Sequence, residues 1–147
     1  MKPPAPKTYL QLLKRKEPPY RLLICGGRDF DDRVWFTKTM SIYRPEDVSV
    51  MICGFDHKKK TFQGADQLAL EWAIENNIKH QVHAPDWDAK GLAAGPIRNA
   101  EMIRAKPDLV IAWPRKDGSW GAGTMDCTSK AGEAQIPVTY MMRLRAT

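Results

Sequence analysis

Arg21-Leu22-Leu23-Ile24-Cys25-Gly26-Gly27-Arg28-Asp29 is the stretch that decides the fold. Its apolar run is short and has no alternating polar positions, which suits a strand buried on both faces. It stops at two glycines, which let the backbone turn sharply and approach a neighbour closely. A strand covered on both sides needs helices above and below it, so strand and helix should alternate along the chain. Downstream, Asp31 or Asp32 can cap a helix running to about Tyr43, with Phe36, Met40 and Tyr43 on one face. Val48-Ser49-Val50-Met51-Ile52-Cys53 reads as a second strand, again stopped by a glycine, Gly54. Ala65, Leu68, Ala69, Trp72 and Ala73 recur at helical spacing within 64–77, and Lys79–Ala84 is a weaker third strand. Pro96 suits the first turn of a helix over 96–105, with Ile97, Ala100 and Ile103 facing inward. Asp108–Trp113 is a fourth strand ended by Pro114. Thr124, Cys127, Thr128, Ala131 and Ala134 mark a last helix, and Ile136–Met141 a fifth strand.

Five strands joined by helical crossovers imply an α/β fold of three layers, Rossmann-like, with a five-stranded parallel sheet. Right-handed crossovers favour the strand order 3-2-1-4-5. That order reverses direction between strands 1 and 4, which places a crevice beside the loops at 26–30 and 114–123. Ligands of such sheets bind where the order reverses. Residues 20–147 are expected to form this domain. Residues 1–19 read as a basic, proline-rich arm, in which Pro3, Pro4, Pro6 and Pro18-Pro19 bracket a short helix over Thr8–Lys16.

The chain has 147 residues, 43% hydrophobic and 27% charged, ordinary proportions for a globular protein. No apolar run approaches the ~20 residues needed to span a bilayer, and no apolar segment follows the charged start as in a signal peptide. Three widely spaced cysteines give neither a disulfide framework nor a zinc pattern, and a reduced, cytoplasmic setting suits them. The net charge of +6 points toward nucleic acid until it is located. Residues 1–21 carry six basic residues and one acid, and Arg143 and Arg145 add two charges at the other end. The body between them is almost neutral. A dedicated nucleic-acid binder needs its charge on the folded face, so nucleic acid is not the expected partner.

Four glycine-bearing turns lead into helices. Gly26-Gly27-Arg28-Asp29 can cradle a phosphate with backbone amides, and Arg28 can add a forked contact. The spacing is not G-x-G-x-x-G, which disfavours an ordinary dinucleotide site. The alternative is a tight turn in which Arg28 pairs with Asp29. Gly64-Ala65-Asp66 sets a carboxylate at a helix start, where it answers the dipole or accepts hydrogen bonds from a ribose or base edge. Gly95-Pro96-Ile97-Arg98-Asn99 sets Arg98 in a first helical turn, the wrong end for a cation. An anionic ligand is expected beside it, or else a carboxylate such as Asp66 or Asp126. Gly118-Ser119-Trp120-Gly121-Ala122-Gly123-Thr124 forms an anion nest ahead of the last helix. Trp120 either stacks on a base or packs on the chain, and Trp87 has the same two options. Lys58-Lys59-Lys60 reads as a solvated loop, and Cys25 and Cys53 as small buried residues. His80 and His83, three apart on a strand, point to opposite faces and make no metal site. No nucleophile–base pair stands out, and neither a metal nor a cofactor is expected.

Taken in order, Gly26-Gly27-Arg28-Asp29-Phe30, Gly64-Ala65-Asp66, Gly95-Pro96-Ile97-Arg98-Asn99, Pro107-Asp108-Leu109-Val110 and Gly123-Thr124-Met125-Asp126 resemble the YspA-like branch of the SLOG superfamily, over about 20–141. The resemblance implies a Rossmann-like fold shared with the Lonely Guy phosphoribohydrolases and with DprA. It also implies a nucleotide or nucleotide-derived ligand, a bacterial or phage source and homodimerisation. Two turns depart from the pattern: Phe55–Gln63 inserts a lysine-bearing loop, and Pro114–Thr124 is stretched. The phosphoribohydrolases place a catalytic glutamate three residues after the threonine. Here that position is Cys127, and Asp126 precedes it, turned by about 100° on a helix.

The leading expectation is therefore a sensor or sequestering protein for a nucleotide-derived small molecule. Its phosphate sits between Gly26, Gly27, Arg28 and Gly121, Gly123, Thr124. Arg98 neutralises charge, Asp66 or Asn99 reads sugar or base, and Asp29 and Gly64 complete the set. The alternative is an N-glycosidic hydrolase in which Asp126 or Asp66 stabilises the oxocarbenium-like centre or activates water while Arg98 holds phosphate. A third reading is a DprA-like nucleic-acid or protein-interaction module using the basic arm.

Overall fold

A computed structural model of the protein describes residues 17–143. The helix expected over Thr8–Lys16, and most of the arm, lie outside the described residues. Strands β1 (Tyr20–Gly26), β2 (Val48–Cys53), β3 (His80–Val82), β4 (Leu109–Trp113) and β5 (Val138–Tyr140) form one sheet. Their order is β3-β2-β1-β4-β5, the expected one, and each neighbouring pair is parallel. Helices α1 (Arg33–Met40), α2 (Ala65–Glu75), α3 (Trp87–Lys90), α4 (Ala94–Arg104) and α5 (Ala122–Glu133) make the crossovers. Among the described residues no helix is long and apolar enough to cross a membrane.

The continuous apolar runs work as two alternating sets. Leu22, Ile24, Met51, Cys53, Ile111 and Trp113 bury toward α1 and α2. Leu23, Cys25, Val50, Ile52, Val110 and Ala112 bury on the opposite face, against Met102 of α4 and Cys127 and Ala131 of α5. A central strand with both faces covered has no room for polar alternation. Trp113 closes the first set at the C-terminal end of β4. Its ring centroid stands 4.9 Å from that of Phe30 and 5.2 Å from that of Phe36.

Several boundaries differ from the sequence expectation. Helix α1 stops at Met40 because Arg44, next to Pro45, is extended, as residues before proline prefer. Asp32 is its cap, accepting from the Trp35 amide at 3.0 Å. Strand β3 is shorter than 79–84, although Lys79 and His83 still bond to β2 on either side of it. Likewise β5 covers only Val138–Tyr140 of the expected Ile136–Met141, and Ala134 is exposed at the end of the last helix. The larger correction concerns α4. It starts at Ala94, after α3 and a short 3-10 turn over Gly91–Ala93, so Pro96 is its third residue. Proline costs nothing there, since the first helical amides lack intrahelical partners anyway. Arg98 therefore sits one turn inside the helix rather than on its first turn. The inward face is shifted as well: Ala94, Asn99 and Met102 are buried, while Ile97 is exposed. An amide occupies a core position because its hydrogen-bond partners are there.

Candidate functional site

The C-terminal ends of β1 and β4 are tied together by the glycine turn. The Gly27 amide donates to the Trp113 carbonyl at 3.1 Å. The Gly27 carbonyl accepts from Phe30 and from Ala65, each at 3.2 Å, so one residue joins β1, β4 and the start of α2. A Cβ on Gly27 would stand 2.7 Å from the Arg115 Cα, closer than backbone tolerates. Gly64 has φ of +63° and presses against the Gly27 and Arg28 backbone. Its contribution is close approach, which no side chain would permit.

These turns surround a cavity of about 390 Å³. Gly26, Gly27, Arg28 and Asp29 line one side. Asp66, Arg98 and Asn99 line another, and Gly121, Gly123 and Thr124 a third. Residues as far apart in sequence as Gly26 and Thr124 thus meet at one end of the sheet. Gly64 and Asp126 lie outside the lining set, Gly64 behind the β1 turn and Asp126 behind Asn99. The opening turn of α5 has no capping side chain at Gly121, so its first amides remain available to a ligand.

Two residues at or beside the cavity have no binding role in the sequence reading. Arg115 lines the wall between the β1 turn and Gly121. Its signal was its position, two residues after the end of β4, at the mouth where the strand order reverses. Gly54 stops β2, and its carbonyl accepts from Arg98 Nη1 at 2.8 Å while its amide donates to Asp66 Oδ1 at 3.2 Å. A Cβ on Gly54 would collide with the Arg98 guanidinium.

The charges in the cavity are arranged unequally. Arg98 meets only neutral acceptors, the Gly54 carbonyl and Asn99 Oδ1 at 2.9 Å. Among the described residues no carboxylate oxygen lies within 4.0 Å of Arg28, Arg98 or Arg115. The ion pairs that would have explained Arg28 and Arg98 without a ligand are not formed. Asp29 accepts from the Lys116 amide at 2.9 Å. Asp126 is held by Lys130 Nζ at 2.6 Å and by Asn99 Nδ2 at 3.0 Å. Asn99 Nδ2 also reaches the Gly123 carbonyl at 3.1 Å, which fixes α4 to the start of α5.

The carboxyls differ in electrostatics. Burial is the largest influence on Asp66 and pushes its carboxyl up, against the opposing pull of Arg98, the Gly54 amide and Arg28. Burial also works to raise Asp126, but hydrogen bonds from Lys130 and Asn99 outweigh it and hold that carboxyl low. At the base of the cavity, Cys25 is pushed well up, first by its hydrogen bond with Cys127 and then by burial. The helical position where the phosphoribohydrolases carry a glutamate thus holds a buried thiol. Of the two tryptophans with open roles, Trp120 packs edge-on against Tyr140, with centroids 5.3 Å apart. Trp87 faces Arg28, whose Cζ lies 5.7 Å from its ring centroid. Among the described residues no group of three or more His, Cys, Asp or Glu side chains is arranged to hold a metal ion.

Comparison with known proteins fits this arrangement. A family described as "YspA, cpYpsA-related SLOG family" matches residues 20–89, the part that carries β1, α1, β2, α2, β3 and the start of α3. The chain is similar to the "Gene 61 protein" of Mycobacterium phage D29. The two are 34% identical over 125 residues, covering 80% of this chain and 93% of the phage protein.

Proposed function

The chain belongs to the YspA, cpYpsA-related SLOG family, and from that premise we propose that it binds a nucleotide or nucleotide-derived small molecule in the cavity between the β1 and β4 turns. The observation that carries this reading is the set of three guanidiniums, Arg28, Arg98 and Arg115, that line one cavity without a carboxylate partner among the described residues. Folded proteins rarely gather like charges without a counter-charge, and a phosphate supplies one. The uncapped start of α5 adds amides and the positive end of a helix dipole on the same side. Asp66 lines the same cavity beside Arg98 and would meet the sugar or base of the same ligand. The protein acts here as a sensor or as a sequestering protein.

A second reading, cleavage of the N-glycosidic bond, draws on Asp66. Its carboxyl is raised by burial and lies beside the cavity cations, as a general acid or base would. Asp126 is engaged by Lys130 and Asn99, outside the lining set, so Asp66 is the carboxyl this reading uses. Titration calorimetry of the whole chain with nucleoside 5′-monophosphates of the four common bases tests the binding reading, and chromatography of the same mixtures separates the two. The binding reading expects saturable heat and intact nucleotide. Free base released by the parent protein and not by Asp66→Asn would establish hydrolysis. No heat with any of the four would contradict both.

A further inference from the structure

A second cavity of about 200 Å³ adjoins the first, and Arg28, Asp66 and Arg98 line both. Its outer wall is the lysine-bearing loop over 55–63, and that loop is firmly built. Gln63 Oε1 accepts from the Asp56 amide at 2.8 Å while Gln63 Nε2 donates to the Asp56 carbonyl at 2.7 Å, a two-way clasp across the neck of the loop. The Gln63 amide donates to Gln67 Oε1 at 3.0 Å, which fastens the loop to α2. Asp56 is buried, and its carboxylate turns back to accept from the Lys58 amide at 3.0 Å.

The clasp presents Lys59 to the second cavity. Lys59 Nζ stands 5.8 Å from the centroid of the Trp87 ring that also faces Arg28, so one indole gathers a cation from each of two loops. Among the described residues Lys59 has no carboxylate within 4.0 Å. The second cavity therefore holds three cations, Lys59, Arg28 and Arg98, against two carboxylates. One of these, Asp56, serves its own loop, and the other, Asp66, is pushed toward its neutral form by burial.

We propose that this second cavity receives a second phosphate group of the same ligand, so that the preferred ligand is a nucleotide bearing two phosphates. The two phosphates can be consecutive, as in a nucleoside 5′-diphosphate, or at two positions of the sugar, as in a nucleoside 3′,5′-bisphosphate. In both cases Arg28 and Arg98 sit between the anions, Arg115 and the α5 amides hold the first, and Lys59 holds the second. The inference rests on the nucleotide reading given above and specifies its ligand.

Calorimetry with the full chain tests it, using the 5′-monophosphate, 5′-diphosphate and 3′,5′-bisphosphate of each common base in turn. At least one two-phosphate ligand should bind about tenfold or more tightly than the monophosphate of the same base. Which of the two gains identifies the arrangement of the phosphates. Lys59→Ala should reduce that affinity ratio to near one, whereas Lys58→Ala, one residue away and outside the cavity lining, should leave the ratio in place. Both lysines are exposed, so neither change threatens folding. Monophosphate binding with no gain from a second phosphate would overturn the inference and leave the nucleotide reading standing. An undiminished ratio in Lys59→Ala would overturn it as well. No binding by any of the three classes would defeat the nucleotide reading and this inference together.

Discussion

Arg98 directs its guanidinium at two neutral acceptors, while the side chains of Arg28 and Arg115 make no hydrogen bond among the described residues. Arg115 is the cleaner probe of the three, because it is exposed and supports no other part of the fold. Arg115→Ala should weaken nucleotide binding by about three- to thirtyfold and leave the melting temperature within a degree or two, read by calorimetry and thermal melting. A large loss of stability with unchanged affinity would make Arg115 a structural residue instead. Asp66 gives a prediction with a sign. A carboxyl raised by burial keeps its proton at higher pH in the folded chain than in the unfolded one. Stability is therefore lost as pH climbs from the ordinary value of 3.8 through the raised one. Asp66→Asn keeps an oxygen for the Gly54 amide and removes the buried charge. It should melt above the parent at pH 7, with the gap closing as pH falls below the ordinary carboxyl range. A gap that widens in acid would reverse the assignment.

At the scale of elements, α4 shows where sequence reading holds and where it gives way. The helix was legible from its apolar spacing, and Arg98 and Asn99 from their place beside a glycine-proline start. Its phase was not. Ile103 does pack against the core, but Ile97 pulled the expected inward face toward itself, while the buried position went to Asn99, 2% exposed. Hydrophobicity ranks an amide as a surface residue. Only the placement of the Gly123 carbonyl and Asp126 on α5, fixed by the tertiary fold, makes its burial favourable. Removing that amide should accordingly cost more than a surface change. Asn99→Ala is expected to lower unfolding free energy by about 1–3 kcal/mol in urea titrations, because the buried amide that bonds both the Gly123 carbonyl and Asp126 is lost. A change below about 0.5 kcal/mol would mean the link between α4 and α5 is dispensable. Arg115 escaped notice for a related reason. The turn after β4 drew attention through its glycines, and an arginine in a polar loop resembles any solvated charge until the sheet brings the β1 turn against it. The glycines themselves were legible as features of the site, but their physical reason was only half visible. Gly27 and Gly64 are needed for chain-to-chain approach as much as for contact with a ligand. Gly27→Ala should then destabilise the protein by about 1–3 kcal/mol as well as impair binding.

For the whole molecule, strand order was the most legible feature, because continuous apolar runs separated by helical crossovers leave few alternatives. The order β3-β2-β1-β4-β5 brings the β1 and β4 turns together, and the site follows from that single topological fact. The charge balance of the whole chain was a poorer guide. Most of the +6 lies near the ends of the sequence, whereas the cations that matter sit in a nearly neutral body and are concentrated by folding. Because the cavity opens to solvent, its attraction for an anion should be screened at distances beyond about 10 Å at 0.1 M salt. Nucleotide affinity should fall severalfold between low and physiological salt, read by calorimetry at a series of salt concentrations, and an affinity that does not change with salt would argue against phosphate recognition. The central claim is that one phosphate sits among Arg28, Arg98, Arg115 and the first amides of α5. A crystal structure of the protein with a bound nucleoside 5′-monophosphate tests it most directly. The account predicts phosphate density within hydrogen-bonding distance of Arg115 and of the Gly121–Thr124 backbone, with the sugar toward Asp66. A well-ordered nucleotide seated elsewhere, with this cavity left to water, would contradict it.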